Sequence, residues 1–555
     1  MIKTLKNEEL LKKVYTLKEV IEYAAEKHKN NIAIKYYDSN KNIEDKSYID
    51  LKNDVEVMSS YLINNKLNKS NIAIIGDISY EWIVSYYAIA SSGAVVVPID
   101  KELSAKDIMD LLVRIDAKCI FFGKTSRRKI EEIVCNLNTI EKLISLQYLE
   151  NYETVSEILK EKKNDKVSKV FIKPDDLASI VFTSGTTGKS KGVMLTHRNL
   201  CEDLMYSYYL VGREGNEATV PILPVYHMFE ITTGIQCPIY IGFTICIGKG
   251  IKYITKSIEE FKPTILTLVP LVVEMLHKNI WMEARKRNKD SKLKFALKVS
   301  RFFRHFGIDL RRILFKDIIE NFGGRLHTIV CGGAPLRKEL EEEFNEFGIT
   351  LLNGYGITEC APVLSCNMRD HIKSGSVGQP LKEFCEIKII DGEIYVKGDI
   401  IMKGYYNDRE STKEAFKDGW FKTGDIGYLD EDGYLFITGR KKNLIILDNG
   451  ENVSPEELED IFIKSDFVKE IVVYADENNS KNQISAFIVP DKDYFKKNQI
   501  EDIEGVINKE VASINRTLPY YKRVQIVNIR EEEFVKTSTG KVKRHEIRKE
   551  ELNDR

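Results

Sequence analysis

The sequence predicts an α/β protein: a large N-terminal body of doubly wound α/β subdomains with a small β-rich subdomain, then a small C-terminal α+β domain. Three textures along the chain predict it. Short apolar runs precede amphipathic stretches through the first part, Gly-punctuated strands take over from about Asp391, and a capped helix opens a last run of strands and helices after Arg440.

In chain order, NIAIIGD at 71–77, the amphipathic YEWIVSYYAIASSG and AVVVPID at 94–100 read as strand, helix, strand. The pattern returns with FKPTILTLVP at 261–270, a helix around Leu271 to Trp281, and RLHTIVCGGAPL at 325–336. Ligand loops belong at the strand ends of such a sheet. GEIYVKGDIIMKGYY and GYLFITGR supply the β-rich part. ENVSPEELEDIFIK then offers Ser454 as N-cap, Pro455 at the first helical position and Glu457 three after the cap, a full capping box. EIVVYAD, QISAFIVP, a helix near 501–516 and RVQIVNI follow. The expected domains are 1–439 and 440–555, with the boundary between Gly439 and Lys442.

Composition narrows the function classes. The 555 residues carry 83 Lys plus Arg against 84 Asp plus Glu, a net charge of −1, so no long-range field draws nucleic acid. Nine cysteines, none in a Cys-x-x-Cys pair, read as reduced thiols of a cytoplasmic protein. The N-terminal residues mix Lys and Glu where a secretion signal needs an apolar core, so none is expected. Ile231 to Ile247 is apolar but contains Gln236, Pro238 and two glycines, and is shorter than the roughly 20 residues of a bilayer span. Buried core is expected there. No His/Cys/Asp cluster has zinc-ligand spacing.

The most informative stretch is IVFTSGTTGKSKGVMLTHRNL at 180–200: a strand, a loop of hydroxyls and glycines, then a helix capped near Thr196. Thr183, Ser184, Thr186 and Thr187 offer hydroxyl donors. Gly185 and Gly188 let backbone N–H groups approach an anion, and Lys189 or Lys191 adds positive charge. Such a loop suits phosphate oxygens, yet the Gly185–Gly188 spacing is too short for a Walker loop.

TSGTTGKSKG is followed in order by NGYGITE at 353–359, KTGDIGYLDEDGYLFITGRKKNLI at 422–445, GENVSPEELE at 450–459 and TSTGKVKR at 537–544. Together these resemble the motifs of the adenylate-forming, AMP-binding superfamily of acyl- and aryl-CoA synthetases, luciferases and peptide-synthetase adenylation domains. The resemblance covers roughly residues 20 to 550. It implies ATP, Mg²⁺ and CoA as the small molecules handled. Tyr355 and Gly356 would lie against the purine, Thr358 would donate to the α-phosphate, and Glu359 would orient the metal through oxygen ligation. CGGAPL, with Gly333 and Ala334, resembles the adenine-side loop. Asp425 and Arg440 would take the ribose; standing alone, Asp425 would read as a turn residue capping its own backbone. Lys541 would be the adenylating lysine, neutralising charge as carboxylate meets α-phosphate. Lys442 would be the hinge of a mobile small domain that later turns its face near Gly450 toward CoA. His227, in LPVYHMFEI, would border the acyl carboxylate, although a lone histidine is more often a core residue. Two positions depart from the usual pattern: Ser190 and Val535 stand where proline is common.

Residues 281–324 resemble the insert of the long-chain fatty acyl-CoA synthetases. Between Arg285 and Arg312, eleven Lys/Arg face two Asp, a local charge of +9, with Leu293, Leu297, Phe303, Phe306 and Leu310 at near-helical spacing. Such a basic amphipathic segment suits an anionic membrane surface, and equally a solvated face packed by its other side. The reading is an AMP-forming synthetase acting on a medium- to long-chain fatty acid. Its rivals are an enzyme loading a carrier-protein thiol and a catalytically silent nucleotide binder.

Overall fold

The computed structural model describes residues 12–38, 40–163, 165–183, 190–211, 216–447, 451–476, 483–536, 542–544 and 547. They group in two compact units. The first comprises Met1–Ser374, Pro380–Glu386 and Lys397–Phe416; the second comprises Gly375–Gln379, Ile387–Val396 and Lys417–Arg555.

The first unit holds two eight-stranded sheets, each mainly parallel. One runs Gly404–Tyr405, Lys191–Thr196, Leu177–Thr183, Val95–Pro98, Asn71–Ile75, Ala117–Phe122, Lys142–Ser145, Glu153–Thr154. Its chain order reverses about Asn71–Ile75, whose neighbours Val95–Pro98 and Ala117–Phe122 both pair with it in parallel. That is the doubly wound arrangement the alternating runs predicted. The other sheet runs Val363–Cys366, Thr350–Gly356, Thr328–Cys331, Ile265–Leu268, Ala218–Thr219, Thr244–Cys246, Ile32–Tyr37, Ile43–Ser47, antiparallel only at its two edges. Leu266, Leu268, Ile329 and Leu351 are wholly buried within it. Parallel strands covered on both faces need such continuous apolar runs, and each buried side chain contributes about 1.5–3 kcal/mol.

Ile231 to Ile247 is core, as expected: Ile231, Gln236 and Ile239 have no exposed surface. No described helix is long and apolar enough to cross a membrane. Eight of the nine cysteines are buried, and all are free.

The basic insert is helical over Pro270–Lys286, Asp290–His305, Arg311–Leu314 and Lys316–Asn321. Its expected apolar row divides. Leu297 joins Phe315 and Phe347 in a small core, with Leu293 packed against it. Phe306 points outward and lies past the end of Asp290–His305, where Gly307 turns the chain with φ +76°. A different row is exposed: Phe295 at 68%, Phe302 at 61% and Phe306 at 63%.

The second unit contains the β-rich strands Glu393–Lys397, Trp420–Leu429 and Leu435–Arg440, and a three-stranded sheet of Val468–Asp476, Gln483–Pro490 and Ile526–Ile529. Helix Pro455–Phe462 begins as predicted, with Ser454 accepting from the Glu457 N–H. The capping box is incomplete, however. The Glu457 carboxylate is held by Lys522 Nζ at 2.6 Å, and the Ser454 hydroxyl donates to Thr438 O at 2.7 Å. A full charge on lysine outcompetes a neutral backbone N–H for the carboxylate.

Candidate active site

In the first unit the hydroxyl-rich loop joins two antiparallel strands whose ends face each other, Thr183 opposite Lys191. Ser184, Gly185, Thr186, Thr187 and Gly188 lie outside the described residues. The helix that follows, His197–Val211, starts where expected: Thr196 Oγ1 accepts from the Asn199 N–H at 3.2 Å, and Asn199 Oδ1 accepts from the Thr196 N–H at 2.8 Å. The short strand Gly404–Tyr405 pairs along the other side of Lys191–Thr196.

That pairing draws two distant motifs together. Tyr405 lies under Lys191, whose Nζ is 4.8 Å from the ring centroid, and its hydroxyl donates to Glu359 Oε1 at 2.9 Å. Burial, and then the Glu359 charge, push the Tyr405 phenol well above its ordinary value, so it stays a donor. Glu359 sits in the turn Thr358–Cys360, whose backbone is fixed by Met402 N–H donating to Glu359 O at 2.8 Å and Ile357 N–H donating to Pro362 O at 2.8 Å. Thr358 is half-buried at the head of the same turn. Sequence reading missed Tyr405; its only signal was the Gly-Tyr-Tyr ending of the β-rich stretch.

Tyr355 and Gly356 end strand Thr350–Gly356, and Gly332, Gly333 and Ala334 leave the end of its neighbour Thr328–Cys331. Both loops thus occupy carboxyl ends of parallel strands, where α/β sheets bind ligands. Gly333 has φ +84°, a conformation that excludes most side chains, and a Cβ at Gly356 would collide with the Pro362 carbonyl. Gly332, Gly333, Gly354, Tyr355 and Gly356 form one wall of a cavity. Leu210, Phe229, Val330, Pro362, Val363 and Cys366 give it an apolar body, and Ser207, Thr233 and Ser365 are its remaining lining residues. Neither Ser207 nor Ser365, both buried, has a hydrogen-bond partner among the described residues, and such a group costs about 1–3 kcal/mol.

His227 closes the turn ahead of the π-helical segment Glu230–Gln236, accepting at its carbonyl from the N–H groups of Glu230 and Ile231, each at 3.1 Å. Its half-buried ring lies 4.4 Å from that of Tyr226, and Phe229, two residues on, lines the cavity. Glu230, also missed, is wholly buried. Its Oε1 accepts from the Ile222 N–H at 3.1 Å, and burial pushes its carboxyl up to about 8.

In the second unit Asp425 and Arg440 stand directly opposite on paired strands, with Arg440 Nε 3.0 Å from Asp425 Oδ1. Asp425 is almost fully buried, and its N–H donates to Thr423 Oγ1 at 3.0 Å. Lys442 lies in the turn Lys441–Asn443, where burial, and then Arg440, lower its ammonium pKa. Gly450 and Lys541 lie outside the described residues.

No group of three or more His/Cys/Asp/Glu able to hold a metal occurs among the described residues. A lone hard carboxylate such as Glu359, with one oxygen engaged by Tyr405, fits Mg²⁺, which takes most of its ligands from phosphate and water.

The family model described as AMP-binding enzyme matches residues 21–406, and that of the AMP-binding enzyme C-terminal domain matches 442–550. The chain is 28% identical over 450 residues to long-chain-fatty-acid–CoA ligase FadD15 of Mycobacterium bovis, covering 77% of this chain and 74% of that protein. It is 32% identical to the long-chain-fatty-acid–CoA ligase of Escherichia coli O6:H1 across 68% of this chain and 62% of that one. Among solved structures, a Mycobacterium tuberculosis fatty acyl CoA synthetase shares the fold with a TM-score of 0.69 at 23% identity, covering 97% of this chain and 98% of the other.

Proposed function

The chain belongs to the AMP-binding enzyme family, and on that premise we propose that it is an ATP-dependent, AMP-forming ligase joining a medium- to long-chain fatty acid to CoA. The acid's carboxylate attacks the α-phosphorus of ATP and pyrophosphate leaves. The thiol of CoA then attacks the acyl carbonyl of the adenylate, forming the thioester as AMP departs. Carboxylate is already ionised near neutral pH, so the first step needs charge neutralisation and positioning rather than a general base.

The observation that carries this reading is the cavity, where glycine backbone from two separate strand-end motifs meets an apolar body. Glycine lets a flat base or an adenylate lie against backbone, and the apolar side suits an acyl chain. In the same reading Thr183 and Lys191 hold the ends of the phosphate loop, with Ser184 to Gly188 around the phosphates. Tyr355, Gly356, Gly333 and Ala334 flank the adenine, Thr358 donates to the α-phosphate, and His227 borders the acyl carboxylate. Mg²⁺ at Glu359 supplies positive charge to the phosphate oxygens. Asp425 and Arg440 take the ribose. Residues 440–555 act as the moving domain about Lys442, bringing Lys541 to the adenylation step and the Gly450 face to CoA. The relatives are named as CoA ligases, so carrier loading and silent binding are not favoured.

Peripheral contact of a cytoplasmic protein with an anionic membrane, through residues 285–312, completes the proposal. The exposed Phe295, Phe302 and Phe306 support it: Phe295 and Phe302, seven apart, share one face of helix Asp290–His305, Phe306 follows its end with its ring 5.2 Å from that of Phe302, and Lys292 and Lys298 lie a turn either side of Phe295.

The deciding experiment supplies ATP, Mg²⁺ and hexadecanoate, with CoA or with a phosphopantetheinylated carrier protein. Pyrophosphate release and palmitoyl-CoA formation are expected. Acylation of the carrier with none of CoA would overturn the choice of acceptor, and no pyrophosphate with any fatty acid would overturn the ligase.

A further inference from the structure

Asn199 does more than the helix it begins requires. It is the third residue of His197–Val211 and forms a reciprocal pair with Thr196: Thr196 Oγ1 accepts from the Asn199 N–H, and Asn199 Oδ1 accepts from the Thr196 N–H. A capping box asks its third helical residue only for an acceptor, which glutamate or glutamine usually supplies. Asn199 brings an NH₂ group as well. Its Nδ2 donates to Asp399 O at 2.7 Å and to Ile401 O at 2.9 Å. These partners fix the orientation of the amide, because a main-chain N–H on one side needs an oxygen and two carbonyls on the other need a nitrogen. The residue is 6% exposed, so water does not replace these bonds freely.

The bond to Ile401 reaches Glu359 in one step. The Ile401 carbonyl and the Met402 N–H belong to a single peptide unit, a rigid plane. Its carbonyl accepts from Asn199, and its N–H donates to Glu359 O at 2.8 Å. Turning that plane therefore moves the main chain that carries the Glu359 carboxylate. Ile400 and Met402 are buried and anchor the segment, but apolar packing is non-directional, and the tilt of the plane is set by its hydrogen bonds. Downstream, Lys403 N–H donates to Met194 O at 2.9 Å, and Tyr405, paired with the same strand, donates to Glu359 Oε1. Glu359 is thus held twice, at its carbonyl through the plane and at its carboxylate through Tyr405. Both holds originate in the strand and helix that follow the hydroxyl-rich loop.

We propose that Asn199 is a positioning residue for Glu359, its NH₂ group setting, through the Ile401–Met402 peptide, where the carboxylate meets Mg²⁺. The inference rests on the ATP and Mg²⁺ reading above and adds the group that places the metal's carboxylate. One amide has two duties: its oxygen serves the helix, and its nitrogen serves the site.

The test uses Asn199→Asp, which keeps the capping oxygen and loses both donors, and Asn199→Ala, which loses them without adding charge. Amide hydrogen exchange at Met402 in the ligand-free protein should quicken at least about fivefold in both, the scale of one net hydrogen bond. ATP binding is measured by titration calorimetry in EDTA and in Mg²⁺. Affinity with Mg²⁺ should fall about tenfold, the scale of losing an outer partner of a metal ligand, while affinity in EDTA stays that of wild type. Glu359→Gln removes the metal's carboxylate, and in that background Asn199→Asp should cost no further Mg²⁺-linked affinity. Equal weakening with and without Mg²⁺, a separate loss in the Glu359→Gln background, unquickened exchange at Met402, or an effect of Asn199→Asp that Asn199→Ala lacks would each overturn the inference and leave the ligase intact. A wild type that releases no pyrophosphate from any fatty acid, yet binds ATP and Mg²⁺ with this dependence on Asn199, would instead overturn the ligase and sustain the inference.

Discussion

Tyr405 gives its hydroxyl to one oxygen of Glu359 while its ring carries the Lys191 ammonium, so a single side chain spaces a cation from an anion. In the proposed roles Lys191 serves ATP and Glu359 serves Mg²⁺, and a direct ion pair between the two would neutralise both groups. Tyr405→Phe keeps the ring and removes the bond to Glu359. The expected outcome is a rise of about ten- to a hundredfold in the Mg²⁺ needed for half-maximal pyrophosphate release, the usual cost of losing a partner behind a metal ligand. An unchanged Mg²⁺ titration would place Glu359 away from the metal. Glu230 yields a pH prediction. Its folded value, about 8, exceeds the ordinary 4.5, so the native state keeps a proton that the unfolded chain releases between those two values. Stability is therefore lost as pH rises through that window and levels off above it. Glu230→Gln, which cannot ionise, should show a smaller fall in Tm from about pH 5 to about pH 8. Parallel wild-type and variant curves would refute the buried, protonated state.

Secondary elements turn these residues into a site by register. Asp425 faces Arg440 because Trp420–Leu429 and Leu435–Arg440 pair with those two opposite, at 3.0 Å. Asp425→Ala removes the proposed ribose acceptor and leaves Arg440 without that pairing; ATP affinity by calorimetry should fall, and an unchanged value would count against the ribose assignment. The helix Asp290–His305 works by angle instead. Leu293 and Leu297 turn inward, Phe295 and Phe302 turn outward between cations, and Phe306 is exposed just past the helix end. Changing all three phenylalanines to serine should abolish flotation with phosphatidylserine vesicles at low salt while sparing hydrolysis-free turnover of a soluble medium-chain acid. Binding that persists would assign the contact to charge alone, and none in wild type would remove it. The same elements explain what the sequence disclosed. Contiguous motifs such as GYGITE were legible because aromatic, hydroxyl and carboxylate follow one another on a strand end and turn. Tyr405 was not, since it stands 46 residues from Glu359 and is placed by the pairing of Gly404–Tyr405 with the distant strand Lys191–Thr196. The insert's apolar row was misassigned because a spacing count cannot see that the helix ends at His305 before Gly307.

At the level of the complete chain, the proposal is that two chemistries share one set of ligands in succession, and charge explains why a moving lysine suits this. The first step brings an anionic carboxylate onto an already polyanionic phosphate, so a cation is worth most in that transition state. In the second, a thiol meets a carbonyl whose leaving group is AMP, and the same cation is no longer needed at the attacking atom. Lys541→Ala should therefore depress acyl-adenylate formation by at least about a hundredfold, the scale of losing one preorganised transition-state donor. Synthetic acyl-adenylate supplied with CoA should still give thioester at a rate close to that of the unaltered enzyme. The two rates are separable by quenched-flow assay, one following pyrophosphate and the other acyl-CoA. If both fall together, Lys541 serves the fold or both steps alike, and a domain that turns about Lys442 between them loses its chemical rationale. If only the first falls, the division of labour between residues 1–439 and 440–555 follows from electrostatics: the phosphate loop keeps the nucleotide, and the small domain lends its cation only while charge is being concentrated.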